Sequence, residues 1–333
     1  MSYSGNVGRM IVLAPLLIYI GHSYTSYRVR QANETARAEL LERLDTDGFI
    51  ILRGHASFSA LAPARLEEHL ESLWAAEGEA AGSEFKQEAG TRRLANLMAK
   101  DDANRSLATL ISDPIVLEMC GHVFGGQERV KLSSLNARSS PGGGTAGTGR
   151  QPLHADSGAI ADERGYWVCN ALWMVTNYTL LNGALRVVPG SHARRELPHV
   201  ALSDPLAPHP DEVLVTGAAG DVIIFNAHMW HGGTANRGVL GSPRTSIHAL
   251  YTRRDKPQQS YQRQLLQEAG VAVEAGTCAA KDANAAACSG HGAGGGGDDG
   301  NKAEVELRWL LALDDEENDA LSAAAEAGAS GFL

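Results

Sequence analysis

The chain has 333 residues, 44% of them hydrophobic, a net charge of −10 and a pI near 5.6. That is enough apolar material for one large domain with a real core, and the acidic balance argues against a nucleic-acid partner, which needs a basic face. The four cysteines (Cys120, Cys169, Cys278 and Cys288) form no CxxC pair; they read as free thiols of a reducing compartment, the cytoplasm, rather than as a thiolate zinc site.

Residues 1–33 are expected to be an N-terminal extension. Within them Met10 to Ile20 is an almost wholly apolar run of eleven residues. A membrane span needs about 20. The length suits a signal-peptide core, but no small-x-small cleavage site follows, and Pro15 sits in its middle. The run is read as a packed or disordered extension, with a signal peptide or short anchor as the alternative. Any membrane association would run through residues 10–20.

The folded part, 34–268, opens with an expected helix from Glu34 to Leu44 that sets Leu40, Leu41 and Leu44 on one face. Asp47-Gly48 breaks it, and Phe49 to Leu52 follows as a short apolar strand. A second helix fits Leu61 to Ala76, where Leu66, Leu70, Leu73 and Trp74 share one face. Asn104 to Phe124 reads as helix interrupted near Asp113-Pro114. From Val130 onward the pattern turns β-like. The candidate strands are Val130–Asn136, Tyr166–Thr176, Ala184–Val188, Glu212–Thr216, Asp221–Asn226 and Thr245–Thr252. No long helices alternate with them, which favours a closed or double-sheet antiparallel fold over a parallel α/β sheet. The fold class is therefore mainly β, a jelly roll with N-terminal helices. Residues 269–302, rich in Ala and Gly, cannot bury enough surface to hold a fold and are expected to be a disordered insertion. Residues 303–333 should hold an amphipathic helix from Glu304 to Leu313 and an acidic tail.

Three signals carry chemistry. The first is His154-Ala155-Asp156. In a strand, residues two apart point the same way, so one short segment can offer an imidazole and a carboxylate to one ion. Alone the tripeptide is weak. The second is His231, at the end of the apolar run Val222–Phe225 and its turn, followed by Gly232-Gly233. Two imidazoles and one carboxylate make the facial set of non-haem Fe(II) oxygenases, which leaves coordination positions open. The third is Arg244-Thr245-Ser246. A guanidinium fork pairs bidentately with a carboxylate, and Ser246, two residues on, could add a hydroxyl.

The stretch QPLHAD, then NGALRVVPGSH (Asn182–His192), then GDVIIFNAHMWHGGTANR (Gly220–Arg237), then PRTS resembles the phytanoyl-CoA dioxygenase family. The resemblance runs over about residues 34–268 and again over 304–314. It implies a double-stranded β-helix with iron at its open end, held by His154, Asp156 and His231, and 2-oxoglutarate anchored by Arg244. It implies the use of Fe(II), 2-oxoglutarate and O₂, with ascorbate as a supporting reductant, and hydroxylation of an unactivated C–H bond of a small organic substrate with release of succinate and CO₂. The carboxylate of Asp156 fills a position that halogenases of this fold leave open for halide. Gly233 stands where some relatives have a serine, a role Ser246 could take. Asn136 or a neighbour would meet the other end of 2-oxoglutarate. Substrates in the family span acyl-CoA esters, amino-acid derivatives and secondary metabolites; the oligomeric state is not read from the sequence.

Other features are read as secondary. Trp173 is expected in the core, with pocket lining as the alternative. The GxGxxG stretch from Gly142 to Gly147 does not open a helix, so it reads as a loop rather than a dinucleotide site. The Pro189–His192 turn reads as structural, and His228 and His248 as interior histidines or as partners orienting the ligands. The rival functions are a metal-binding jelly-roll module without turnover and a zinc hydrolase on the same three ligands.

Overall fold

A computed structural model describes residues 34–82, 91–100, 106–140, 142–143, 150–239, 242–260, 307 and 310–312. The run Met10–Ile20, most of the Gly142–Gly147 stretch, the 269–302 insertion with Cys278 and Cys288, and the acidic tail lie outside the described residues. The chain forms two units, residues 1–43 and 44–333. In the first, residues 34–43 are helical; the helix, α1, runs over 34–46. Among the described residues no helix is long and apolar enough to cross a membrane.

The second unit is built on two antiparallel sheets. The larger has six strands in the order β1 (Phe49–Leu52), β7 (Val222–Asn226), β4 (Val168–Met174), β9 (Arg244–Arg253), β3 (Val130–Ser140) and β2 (Arg92–Leu94). The smaller has three: β6 (Val213–Val215), β5 (Leu185–Val187) and β8 (His231–Gly233). The facing sheets close on a core of Leu172, Met174, Ile223, Phe225 and Leu250 from the larger and Leu185, Val187 and Val215 from the smaller. This is the expected double-stranded β-helix.

Every residue of β4 is buried, because both of its faces are covered. Its even-numbered side chains face the smaller sheet, while Cys169, Ala171 and Trp173 face helices on the outside. Trp173 is therefore a core residue turned away from the cavity, fully buried. The outer helices follow their apolar faces. Helix α5 (Pro114–Phe124) buries Val116, Met119, Cys120 and Phe124. Asp113 caps it, accepting from the amides of Ile115 (3.0 Å) and Val116 (3.2 Å), a cap worth about 1 kcal/mol. Pro114 fits the first turn, where no amide donor is needed, so the expected interruption is a break between α4 (Ser106–Ile111) and α5. Helix α3 is Pro63–Glu77, two residues shorter at its start than the periodicity suggests, because Ala62 takes φ 52° and a proline opens helices well. A short helix α2 (Ala56–Ala60) precedes it, and α6 (Pro198–Ala201) follows β5. Of the expected C-terminal helix, residues 307 and 310 are helical, and Leu310 and Leu311 are buried.

Candidate metal centre

The His154–Asp156 segment is placed by β8. The His154 amide donates to the His231 carbonyl (2.9 Å) and the His231 amide donates back (3.0 Å). The Gln151 amide donates to the Gly233 carbonyl (2.9 Å), so residues 151–154 run antiparallel along the edge of the smaller sheet. Asp156 then turns inward, its amide held by the Ala227 carbonyl (2.9 Å). A 3-10 turn, Asp156–Gly158, with Ser157 at φ 53° carries the chain away.

These contacts bring His154, Asp156 and His231 together, their ligand atoms within 4.8 Å of one another. Each imidazole has its Nδ1 on a carbonyl two residues back: His154 on Pro152 (3.0 Å), His231 on Met229 (2.8 Å). A carbonyl can only accept, so each Nδ1 carries a proton and each Nε2 presents a lone pair. Both Nε2 atoms stand 3.5 Å from the same oxygen, Oδ1 of Asp156. Its other oxygen, Oδ2, accepts from Asn170 Nδ2 (3.0 Å). Neighbouring ligands on bonds of roughly 2.1 Å to one ion would be about 3 Å apart, so the trio fits a single small cation. Two lone pairs and a carboxylate oxygen repel one another unless positive charge lies among them. The titration behaviour states the same demand. Burial alone would lower His154, but the Asp156 carboxylate raises it above its ordinary value. Burial alone would raise Asp156, but His231 and His154 hold it well below the usual carboxylate range. The donor set is one carboxylate and two neutral imidazoles, suited to Fe(II) with open positions.

Arg244 opens β9. Its Nη1 donates to the carbonyls of Gly183 and Thr234, the latter at 3.1 Å, and the guanidinium lies 5.4 Å from the centre of the Tyr178 ring. A Cβ on Gly233 would come within 3.6 Å of Arg244 Nη2. Gly233 is two residues from His231 on β8, hence on the same side and about 6.6 Å along. The guanidinium thus sits one strand step past the distal histidine, and the missing side chain at Gly233 leaves room beside it.

Ser246 is buried on β9, accepting from Tyr178 Oη (2.6 Å) and paired with His248 Nε2 (2.8 Å). Asn136 stands opposite His248 across β3 and β9, its Oδ1 taking the Asn96 amide (3.3 Å). His228 stands outside the candidate trio. Its Nδ1 pairs with Asn226 Oδ1 (2.9 Å), and burial pulls it down to about 4. His192 of the Pro189–His192 turn is buried, its Nε2 on the Asp45 carbonyl (3.0 Å). Asn170 and Tyr178, which touch the assembled site, were not singled out by the sequence. Asn170 is one polar letter in an apolar strand, and only its pairing with Phe225 and Leu250 reveals that it faces inward.

The family model described as phytanoyl-CoA dioxygenase matches residues 44–244. The dioxygenase aneA of Aspergillus aculeatus is 25% identical over 249 residues, 72% of this chain and 81% of that protein. The uncharacterized protein Rv1501 of Mycobacterium tuberculosis is 30% identical over 179 residues, 52% of this chain; the match spans 60% of the length of that relative. Among solved structures, the non-heme alpha-ketoglutarate-dependent epimerase SnoN of nogalamycin biosynthesis superposes with a TM-score of 0.52 at 20% identity, over 66% of this chain and 84% of that one. EctD from S. alaskensis with bound Fe gives 0.50 at 21%, over 65% and 76%. At these identities the solved structures bear on the fold alone.

Proposed function

The chain belongs to the phytanoyl-CoA dioxygenase family, and from that premise we propose that it is an Fe(II)- and 2-oxoglutarate-dependent dioxygenase that hydroxylates an unactivated C–H bond of a small organic substrate. One observation carries the reading. Two imidazoles with their Nδ1 protons tied to carbonyls aim their Nε2 lone pairs at one carboxylate oxygen, with a guanidinium one strand step away. A simple cation site has no use for that carboxylate-binding fork.

In this reading His154, Asp156 and His231 hold the metal. Iron, once bound, supplies the activation of O₂ that couples oxidation of 2-oxoglutarate to succinate and CO₂ with oxidation of the substrate. The protein supplies position and dryness. Arg244 grips the distal carboxylate of 2-oxoglutarate, and its bonds to the Gly183 and Thr234 carbonyls fix the fork in advance. Asn170 holds Oδ2 of Asp156 so that Oδ1 faces the metal. The Phe225 ring, 4.8 Å from that of His231, walls the site on the core side. Asp156 stays anionic, and one carboxylate against a dication leaves a positive centre that welcomes a chelating keto acid.

The test is direct. Purified protein given Fe(II), ascorbate and 2-oxoglutarate under air should form succinate in an O₂-dependent manner, and anaerobic addition of 2-oxoglutarate to the Fe(II) protein should raise a visible charge-transfer band. Iron binding with neither response would leave a metal-binding jelly roll and end the proposal.

A further inference from the structure

The inner face of the larger sheet carries two arginines, Arg93 and Arg138, in addition to Arg244. Register places Arg93, Arg138, Ser246 and Met174 in one row across β2, β3, β9 and β4. Directly opposed residues share a face, and the face is fixed at two points. The Ser246 hydroxyl meets Tyr178 and His248 on the cavity side. Arg92, one residue before Arg93, turns outward, where it pairs with Glu71 (2.9 Å) and lies 4.5 Å over the Trp74 ring. Strand alternation therefore turns Arg93 and Arg138 inward.

Burial marks the same spot. Along β3 every residue is buried except Asn136 and Arg138; along β9 the half-open residues are Arg244 and His248. All four lie on the inner face in adjacent registers, Asn136 opposite His248 and Arg138 next to Ser246. The charges of Arg138, Arg244 and Arg93 all act on the half-open His248. Arg138 thus stands across from Ser246 and one strand over from Arg244, its diagonal neighbour on the same face.

Resting on the reading of the site given above, we propose that Arg138, backed by Arg93, binds a carboxylate of the organic substrate, and that the substrate is a small monocarboxylic acid. The keto-acid end of 2-oxoglutarate would be on the metal and its far end on Arg244. A second fork held by a different strand suits an acid whose remainder then lies over the metal. Bidentate pairing with arginine favours a carboxylate over an amide of the same shape. The protein's net charge of −10 gives anions no long-range attraction, which points to one charge met locally and not to a polyanion.

The carboxylate could in principle come from 2-oxoglutarate itself, and the experiment separates the two sources. The intact protein is loaded with manganese(II), which does not turn over, and with saturating 2-oxoglutarate, then titrated calorimetrically with hexanoate and phenylacetate and with the matching amides. At least one acid should bind about tenfold more tightly than its amide. Arg138→Gln should erase that difference while changing the 2-oxoglutarate dissociation constant by less than about twofold. Arg138→Lys keeps the charge without the fork and should retain part of the preference; it carries the test should the Gln variant fail to fold. Equal binding of acid and amide, binding of neither, or a loss in Arg138→Gln confined to 2-oxoglutarate overturns the proposal. A wild-type protein that fails to bind 2-oxoglutarate defeats the functional reading instead, and the acid-against-amide comparison on the manganese protein alone still decides this one.

Discussion

Two pairs of histidines share the region around β8 and end in opposite states. His154 and His231 each place Nδ1 on a carbonyl and Nε2 against Asp156. His192 and His228 lie three to thirty-nine positions away in sequence from His231, flank the Tyr166 ring at 5.6 and 5.1 Å, and face an aromatic surface and backbone carbonyls in place of a carboxylate. Burial acts on His154, His192 and His228 alike. At His154 the carboxylate overrules it and raises the imidazole; at His228 nothing comparable does, and the ring falls to about 4. A histidine near a strand end is thus not a ligand by position. It becomes one when a carbonyl fixes its tautomer and a carboxylate shares its free nitrogen.

The sharpest way to break the contrast is to remove the shared carboxylate. Asp156→Ala leaves both imidazoles in place but takes away the only anionic ligand, and His231→Ala takes away one of the two nitrogens. Each should reduce succinate formation by at least about a thousandfold. A variant that kept parental turnover would show that the trio is not the metal centre.

The second pair should report on stability. His228 is held neutral in the fold at about 4, against about 6.5 when exposed. Above pH 6.5 neither state is protonated and the fold has its full stability. As pH falls from 6.5 towards 4, the unfolded chain takes up a proton that the folded chain refuses, so stability declines, by roughly 3 kcal/mol over the interval. His192 is lowered by burial too and adds in the same direction. His228→Asn keeps a donor for Asn226 and cannot take up that proton. Denaturant unfolding from pH 7.5 to 4.5 should give a visibly shallower slope for the variant; parallel slopes would mean that His228 is not the depressed group.

The third test moves from the metal to the co-substrate. Arg244→Gln retains hydrogen-bonding ability but loses the charge and the fork. KM for 2-oxoglutarate should rise roughly fiftyfold, the equivalent of about 2–3 kcal/mol, with a smaller change in kcat. An unchanged KM would place the distal carboxylate elsewhere.

The contrast also explains what could be read in advance. Strands β4 and β7 are apolar and β3 and β9 are long, so local pattern announces them. Strands β2 and β8 carry no such pattern. Arg92–Leu94 and His231–Gly233 are three residues each, arginine-rich in one and glycine-rich in the other, and they are strands only because β3 and β5 offer them partners. The candidate trio could be picked out because its residue types stand in a pattern that metal chemistry uses, and the structure brings those three side chains together; Arg244 was picked out on the chemistry of its fork. His228 and His192 look equally eligible on paper. Only the three-dimensional positions of Asp156, Pro152 and Met229 tell the pairs apart, and the inward turn of Arg138 likewise depends on register.

Asn170 gives the smallest effect and the most discriminating one. Its Nδ2 holds Oδ2 of Asp156, while its own Oδ1 is buried with no hydrogen-bond partner among the described residues. A buried acceptor left unsatisfied costs about 1–3 kcal/mol, so as a structural residue Asn170 is a poor choice between Cys169 and Ala171 in an apolar strand. Leucine has the same branched heavy-atom skeleton and no such cost. Asn170→Leu should therefore leave the melting temperature unchanged or raise it, while metal affinity falls roughly tenfold, as for other partners that orient a ligand. A merely structural asparagine would lose stability without loosening the metal. Opposite signs in the two measurements are what separates a residue kept for the site from one kept for the fold.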